Sequence, residues 1–162
     1  MIEHSFTRRD FLAASTAAAS LLSVESARGF RANDTLNVAC LGTGGRSQRI
    51  LMTRLAQIPN TRIAAVCDVW DTNLKAGAKL ADAKAILEDT DFRRLLDRSD
   101  IDAVVIGAPD HWHVPMTIAA CEAGKDVYVE KPLTHDLSEG KAVISAQNKH
   151  GRIVQVGTQQ SR

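Results

Sequence analysis

Several segments of this chain combine side chains that could bind or transform a ligand. One is Glu130-Lys131-Pro132, which directly follows the apolar run Asp126-Val127-Tyr128-Val129. A lysine at the end of a buried parallel strand can hold a hydroxyl group, and it can assist proton transfer if burial lowers its pKa. Pro132 can follow a cis peptide bond, which would fix the direction of the lysine. The alternative is a surface lysine beside a turn proline.

A second segment is the glycine turn Gly42-Thr43-Gly44-Gly45-Arg46-Ser47, which directly follows the apolar run Leu36–Leu41. Gly42 permits a tight turn, and Gly44 allows a pyrophosphate to approach the backbone. Ser47 takes the third fingerprint position, which needs only a small residue for close helix packing. Free N–H groups at the start of the next helix would face the phosphates, and a bound anion would compensate the arginines of the first turn. The turn therefore predicts a dinucleotide site.

Asp68 ends the next apolar run, residues 62–67, about twenty residues after the glycine turn. A carboxylate there can accept hydrogen bonds from the adenosine ribose hydroxyls and would repel a 2′-phosphate, which favours NAD over NADP. Arg46 could still accommodate that phosphate, so NADP stays open. The alternative role for Asp68 is a helix cap, but Asp71 already fits that role.

A further segment, Asp110-His111-Trp112-His113, lies between a strand pattern and a helix pattern. Trp112 is expected to line the nicotinamide or substrate end of the ligand site, while His111 and His113 could equally be caps or wall residues. A His-x-His pair could provide two metal ligands. No Cys or carboxylate partner at zinc spacing accompanies it, so no metal is predicted.

Composition and charge exclude other classes of function. The net charge is +1, and no basic patch with interleaved aromatic residues occurs, so no nucleic-acid partner is predicted. No run reaches the ~18 apolar residues that span a bilayer. Cys40, Cys67 and Cys121 lie in apolar patterns without CxxC spacing. They are interpreted as buried small hydrophobic residues rather than as a disulfide or metal site.

The elements that must position these residues alternate between strand and helix patterns from Thr35 onward. Strands are predicted at Leu36–Leu41, 62–67, 83–86, 102–107, 126–129 and 152–156. Helices are predicted at 46–57, Asp71–Leu80, 91–97, 115–124 and 136–150. This alternation predicts βαβ units, and right-handed crossovers then give a three-layer α/β Rossmann fold with a doubly wound parallel sheet. Its ligand crevice lies at the carboxyl ends of the strands, where all the segments above are found.

Residues 1–32 differ from the rest of the chain. Arg8-Arg9 precede Asp10-Phe11-Leu12, and residues 13–22 contain only Ala, Ser, Thr and Leu. This pattern resembles a twin-arginine export signal and predicts a periplasmic or equivalent compartment. The signal is either cleaved or kept as a membrane anchor. The alternative is an amphipathic helix that begins the domain. The Rossmann domain is then expected at 35–162.

Residues 35–162 resemble the Gfo/Idh/MocA family of oxidoreductases, named after glucose–fructose oxidoreductase, inositol dehydrogenase and rhizopine catabolism. The most similar branch is the exported one with a twin-arginine signal. The segments that carry the resemblance are Gly42-Thr43-Gly44-Gly45-Arg46, Val66-Cys67-Asp68, Ala108-Pro109-Asp110-His111-Trp112-His113, Gly124-Lys125-Asp126-Val127-Tyr128-Val129-Glu130-Lys131-Pro132 and Val156-Gly157-Thr158-Gln159-Gln160.

The resemblance implies hydride transfer between NAD(P) and a hydroxyl or carbonyl of a sugar, a cyclitol or a related compound. It implies Lys131 as the active-site residue, and His113 is a secondary catalytic candidate. The expected cofactor-binding residues are Gly42, Thr43, Gly44, Gly45, Arg46, Ser47, Asp68, Pro109, Trp112, Glu130, Lys131 and Gln159.

In the family a second α/β domain carries the substrate surface, the usual catalytic histidine and the common oligomer interface. That domain is absent from this sequence, so the chain is expected to be a truncated cofactor half, with a homo-oligomer or a partner chain possible. The alternative function is a dinucleotide-binding module without catalysis of its own. Such a module would dock onto a partner through an exposed apolar face.

Overall fold

Short apolar runs pair into one parallel sheet in the computed structural model, which describes residues 35–81 and 87–158. The strands are β1 Leu36–Leu41, β2 Thr61–Cys67, β3 Leu87–Asp89, β4 Ala103–Ile106, β5 Asp126–Glu130 and β6 Val154–Gly157. Their order in the sheet is β3-β2-β1-β4-β5-β6, and every pairing is parallel. This confirms the predicted doubly wound sheet, whose order reverses between β1 and β4.

Helices connect the strands. The first, α1, is a π-helical stretch, Ser47–Met52, continued by the α-helical turn Thr53–Leu55. The others are α2 Asp71–Leu80, α3 Phe92–Leu96, α4 His113–Glu122 and α5 Gly140–His150, with 3₁₀ turns at Asp110–Trp112 and Leu137–Glu139. Buried side chains of α1 and α2 pack in one apolar cluster, and those of α3, α4 and α5 pack in another. The three layers therefore agree with the predicted fold.

Several predicted boundaries are confirmed because local capping determines them. Asp136 and Glu139 form the predicted capping box. The side chain of each residue accepts a hydrogen bond from the backbone N–H of the other. Gly124 and Gly151, which follow α4 and α5, have φ angles of +74° and +61°. Glycine suits these left-handed positions because it carries no Cβ.

Other predicted boundaries need correction. The helix expected to start at Pro115 starts at His113, because the turn Asp110–Trp112 continues directly into it. Pro115 still fits, since the first four N–H groups of a helix lack intrahelical partners. The strand predicted at 152–156 starts at Val154, because the N–H of Arg152 still bonds to the helix-end carbonyl oxygen of Gln147 at 3.1 Å.

Two further predictions concern the β2–β3 region. Asp71 does not cap α2: Trp70 is the N-cap residue without a side-chain cap, and Asp71 pairs instead with Lys75 at 3.1 Å. Residues 82–86, which include the strand predicted at 83–86, lie outside the described residues, and β3 begins at Leu87. The predicted signal at 1–32 and Gln159 also lie outside them.

The three cysteines are free and buried, as predicted for small core residues. Burial raises the pKa of Cys40 to about 12. Burial, followed by the negative charges of Asp89 and Asp68, raises the pKa of Cys67 to about 12 as well. These thiols are therefore poor nucleophiles in the folded chain.

Lys125 is a buried cation that the sequence analysis did not single out. Its side chain is 7% exposed, and its Nζ donates to the carbonyl oxygens of Arg98 at 2.6 Å and Ile101 at 2.8 Å. The ammonium group thereby fixes the turn between α3 and β4. Among the described residues, no helix is long and apolar enough to cross a membrane.

Candidate functional site

The glycine turn packs directly against the loop that follows β4. Gly42 has a φ of +82°, and a Cβ added there would lie 2.5 Å from the backbone nitrogen of Ala108. Its own N–H donates to the carbonyl oxygen of Cys67 at 2.8 Å. Both the left-handed backbone and the lack of space require glycine at this position. The turn is thus held between the ends of β2 and β4.

The third fingerprint position shows the close packing that was predicted for it. Ser47 is completely buried, and a Cβ added at Gly107 would lie 3.1 Å from the Ser47 Cβ. By contrast, a Cβ added at Gly44 would meet nothing closer than the Asn73 Nδ2 at 3.8 Å. The packing of the described residues therefore does not require glycine at position 44. Approach of a ligand to the backbone would explain it.

Asp68 is bonded to the glycine turn. Its Oδ2 accepts hydrogen bonds from the backbone nitrogen of Thr43 at 2.8 Å and from the Thr43 Oγ1 at 3.3 Å. Its Oδ1 accepts from the backbone nitrogen of Trp70 at 2.9 Å. A carboxylate has about four lone-pair sites, so acceptor capacity remains for a ribose hydroxyl. The contact with the turn is an additional role that the sequence did not predict.

The Thr43 side chain points into the protein rather than into open space. Thr43 is completely buried, and a Cβ added at Gly77 of α2 would lie 2.7 Å from the Thr43 Cβ. Helix α2 can therefore approach the turn only because residue 77 is glycine. Thr43 connects the turn to both α2 and Asp68. The feature of the sequence that could have indicated this role is the threonine directly after the first glycine.

A cavity of about 340 Å³ lies beside Asp68. Gly42, Asp68, Phe92, Pro109 and Trp112 contribute to its wall. Trp112 is 39% exposed and packs edge-on against Phe92, with the ring centroids 6.2 Å apart. The structure thus places Trp112 on the Asp68 side of the site, whereas the sequence analysis expected it at the nicotinamide or substrate end.

A second cavity, of about 210 Å³, lies beside Lys131 and shares Ala108 with the first. Lys131 itself is exposed. The Glu130 carboxylate is buried, its Oε1 lies 3.3 Å from the Arg46 Nη2, and its Oε2 accepts the backbone N–H of Lys131 at 3.3 Å. Glu130 therefore pairs with a cation and also accepts a backbone N–H.

His113 is a buried wall residue of the second cavity, with 2% exposure. Its Nδ1 lies 2.6 Å from the carbonyl oxygen of Pro132, and its Nε2 lies 2.9 Å from that of Ala108. The Lys131–Pro132 peptide bond is cis, as predicted. The ring therefore contacts the backbone on both sides of the cavity.

The other histidines near this cavity are exposed and lie around Asp110. The Asp110 Oδ2 is 3.5 Å from the His135 Nδ1, and its Oδ1 is 3.7 Å from the His111 Nδ1. The N–H of His111 and the side chain of His135 hold the pKa of Asp110 below its usual range. No sequence pattern indicated the pairing of Asp110 with His135. Within the described ranges, no group of three or more His, Cys, Asp or Glu side chains could hold a metal ion.

The geometry fits a dinucleotide. The glycine turn follows β1, leads into α1 and leaves the backbone open at Gly44, while Asp68 lines a cavity directly beside it. Free N–H groups at a helix start and a carboxylate at the end of the next strand are the groups that a pyrophosphate and an adenosine ribose need. Fold and site together define a dinucleotide-binding Rossmann domain.

Comparison with known proteins identifies the family. Residues 36–158 match the Gfo/Idh/MocA model, which describes an oxidoreductase family with an NAD-binding Rossmann fold. This chain belongs to that family.

The relatives include one that is named an inositol dehydrogenase and one that is named a glycosyl hydrolase. Inositol 2-dehydrogenase 2 of Saccharopolyspora erythraea is 34% identical over 124 residues, which cover 76% of this chain and 36% of the relative. A glycosyl hydrolase family 109 protein of the same organism is 34% identical over 130 residues, which cover 76% and 28%. The chain thus spans about a third of the length of the curated relatives that it matches.

A solved structure supports the same assignment. The apo scyllo-inositol dehydrogenase from Lactobacillus casei superimposes with a TM-score of 0.69 and is 26% identical in sequence. The match covers 77% of this chain and 37% of that enzyme.

Proposed function

We propose that this chain forms the cofactor site of an NAD(P)-dependent oxidoreductase that acts on a hydroxyl or carbonyl of a sugar, a cyclitol or a related compound. The observation that carries the proposal is the convergence of strand ends on two cavities that share Ala108. Asp68 lines one of these cavities, and Lys131 lines the other. The inositol dehydrogenases and the glycosyl hydrolase among the similar proteins support the substrate class.

Each part of the site has a separate task in this proposal. A bound nicotinamide supplies the group that accepts or donates hydride. The turn from Gly42 and the first N–H groups of α1 hold the phosphates. Lys131 holds the reacting hydroxyl, because its exposed side chain lies at the second cavity. Proton exchange with that hydroxyl requires bound cofactor and substrate to bury the ammonium group. Glu130 orients the start of that loop through the backbone N–H of Lys131.

We also propose that NAD is preferred over NADP. The Asp68 carboxylate lines the cavity where a 2′-phosphate would lie, and like charges repel. Arg46, the cation that could offset the phosphate, pairs with Glu130 in the described structure. A preference for NADP would need Arg46 to exchange partners.

The first test is calorimetric titration of the full chain with NAD and, separately, with NADP. Binding of NAD tighter than NADP supports both the site and the preference. Turnover is then measured from reduced-nicotinamide absorbance with inositols and simple sugars. Lys131→Met is expected to lose turnover while the chain still binds NAD. If the folded chain binds neither nucleotide, the proposed function is wrong for this chain.

A second candidate function is a dinucleotide-binding module that acts only when docked to a partner. A cavity of about 250 Å³ favours it, because Ile58, Val105 and Tyr128 give it an apolar lining. Ile58 is 52% exposed. NAD binding without turnover would favour this alternative, whereas turnover by the purified chain alone would exclude it. Sedimentation analysis would then show whether the chain forms a homo-oligomer.

We further propose export through the twin-arginine route, which depends on Arg8 and Arg9. Fusion of residues 1–34 to a reporter that is active only after export provides the test. Replacement of both arginines by lysine should abolish transport while keeping the charge. Unchanged transport by that double variant would contradict the assignment.

A further inference from the structure

His113 connects the two loops that form the Lys131 cavity. It lies at the start of α4, and its ring reaches the carbonyl oxygen of Ala108 at the end of β4 and that of Pro132 after β5. We propose that His113 is a positioning residue that fixes the Lys131 loop against the β4 loop through hydrogen bonds from both ring nitrogens. This arrangement is called the His113 clamp below.

The chemistry of the two partners determines the protonation that the clamp needs. Both are backbone carbonyl oxygens, which only accept hydrogen bonds. A neutral imidazole carries one N–H and can serve one of them, whereas an imidazolium carries two and serves both. The Nε2 distance of 2.9 Å is ordinary for an N–H donor to oxygen, and the Nδ1 distance of 2.6 Å is slightly shorter than that range. The complete clamp is therefore the doubly protonated ring.

The surroundings provide charges of both signs. Four charged residues line the same cavity as His113. They are Arg46 just before α1, Asp110 of the 3₁₀ turn, Glu130 at the end of β5 and Lys131 directly after it. Glu130 is 5% exposed, so its carboxylate lies in an environment where water screens its charge only weakly. Two cations and two carboxylates therefore share this cavity with the ring, and Glu130 already pairs with Arg46 at 3.3 Å.

The clamp determines where Lys131 can reach. Pro132 follows Lys131 directly, so a hydrogen bond to its carbonyl oxygen restrains the backbone that carries the lysine. The second bond, to the carbonyl oxygen of Ala108, connects that backbone to the loop that lines both cavities. His113 thus acts through Lys131 and does not need to touch the substrate. Only this consequence for catalysis rests on the function proposed above.

The clamp can be tested without a cofactor, by nuclear magnetic resonance of the full chain over a pH series. The protons on the two His113 ring nitrogens are followed through the series. When one proton is lost, the backbone amide signals of Ala108 or Lys131 should shift with the same midpoint. The proposal is overturned if His113 titrates without any change at these amides. It is also overturned if the ring carries a single proton at every pH at which the chain is folded.

Variants separate positioning from simple packing. His113→Gln keeps a donor for one carbonyl, and His113→Phe keeps a ring but has no donor. We expect the Lys131 amide signal to move more in the Phe variant than in the Gln variant. His111→Gln is the matched control, because His111 is exposed and its change should leave the Lys131 signal in place. Equal shifts in the Gln and Phe variants would overturn the two-bond clamp.

Turnover provides the link to the proposed function. If Lys131 acts on substrate, His113→Gln should lower kcat by up to about a hundredfold with little change in NAD affinity, because small misplacement of a catalytic group is costly. Wild-type kcat in this variant would overturn the catalytic consequence of the clamp. Absence of turnover in the wild-type chain would instead favour the binding module described above, and the resonance experiment would still test the clamp.

Discussion

Replacement of Asp68 by alanine separates two roles that the structure gives to one carboxylate. Asp68 accepts hydrogen bonds from the N–H and the hydroxyl of Thr43 and from the N–H of Trp70. Thr43 is completely buried, so Asp68→Ala leaves two buried donors without their acceptor. Hydrogen bonds to a charged group contribute about 1.5–3 kcal/mol, and an unpaired buried donor costs about 1–3 kcal/mol.

The expected loss in the free energy of unfolding is therefore about 2–4 kcal/mol, since the two estimates describe the same contacts and do not add. Denaturant titration, followed by tryptophan fluorescence, measures this loss. Asp71→Ala is the matched control, because that carboxylate is exposed and forms a surface pair with Lys75. The control should change stability by less than about 0.5 kcal/mol.

Nucleotide binding then distinguishes the ribose role from the structural role. If Asp68 only holds the glycine turn, Asp68→Ala should weaken NAD and NADP by the same factor. If it also binds the ribose hydroxyls and repels a 2′-phosphate, NAD should weaken more than NADP, and each 1.4 kcal/mol of difference corresponds to about tenfold in Kd. A variant as stable as the wild type would refute the structural argument. Unchanged affinity for NAD would refute the ribose argument.

Three other substitutions or conditions test separate parts of the fold. Gly42→Ala should lower the free energy of unfolding by about 2–5 kcal/mol through backbone strain and steric overlap. Gly44→Ala should lower it by about 1 kcal/mol or less, but should weaken NAD binding. Equal losses of stability in the two variants would contradict this reasoning. Lys125→Met should cost about 1–3 kcal/mol because two carbonyl oxygens lose their donor, while Lys75→Met at the surface should be nearly neutral, both measured by denaturant unfolding. The pKa of Cys67 is about 12 in the folded chain, above the ordinary value of 9.0, so above pH 9.0 the unfolded chain loses this proton while the folded chain keeps it. The free energy of unfolding should therefore fall as the pH rises above 9.0. Rapid alkylation of this thiol in the folded chain at about pH 8 would contradict its burial.

The main features of the fold could be predicted because they are encoded by local patterns. A parallel strand covered on both faces appears as a short apolar run, and β1 was predicted with its observed bounds. The capping box at Asp136 and the glycine at 151 likewise act on the backbone beside them. The start of α4 was predicted at Pro115, two residues after its actual start at His113. Pro115 fits either position, because a 3₁₀ turn can lead directly into an α-helix with proline among its first residues.

The convergence of the site could also be predicted, because the carboxyl ends of neighbouring parallel strands meet at one edge of a sheet. Its contacts could not. Asp68 bonds to Thr43, which is 25 residues away, and His113 contacts Pro132, which is 19 residues away. Such contacts depend on the register between strands and on the paths of the loops, and no local period encodes them.

The loop after β4 shows why position along the chain does not determine position in the site. Trp112 and His113 are adjacent in sequence, but Trp112 lines the cavity beside Asp68 and His113 lines the cavity beside Lys131. Ala108, at the start of this loop, lines both. The loop therefore separates the two cavities and holds one side chain toward each. A change in its backbone would alter both cavities together, whereas substitution of Trp112 alone should alter only the cavity beside Asp68.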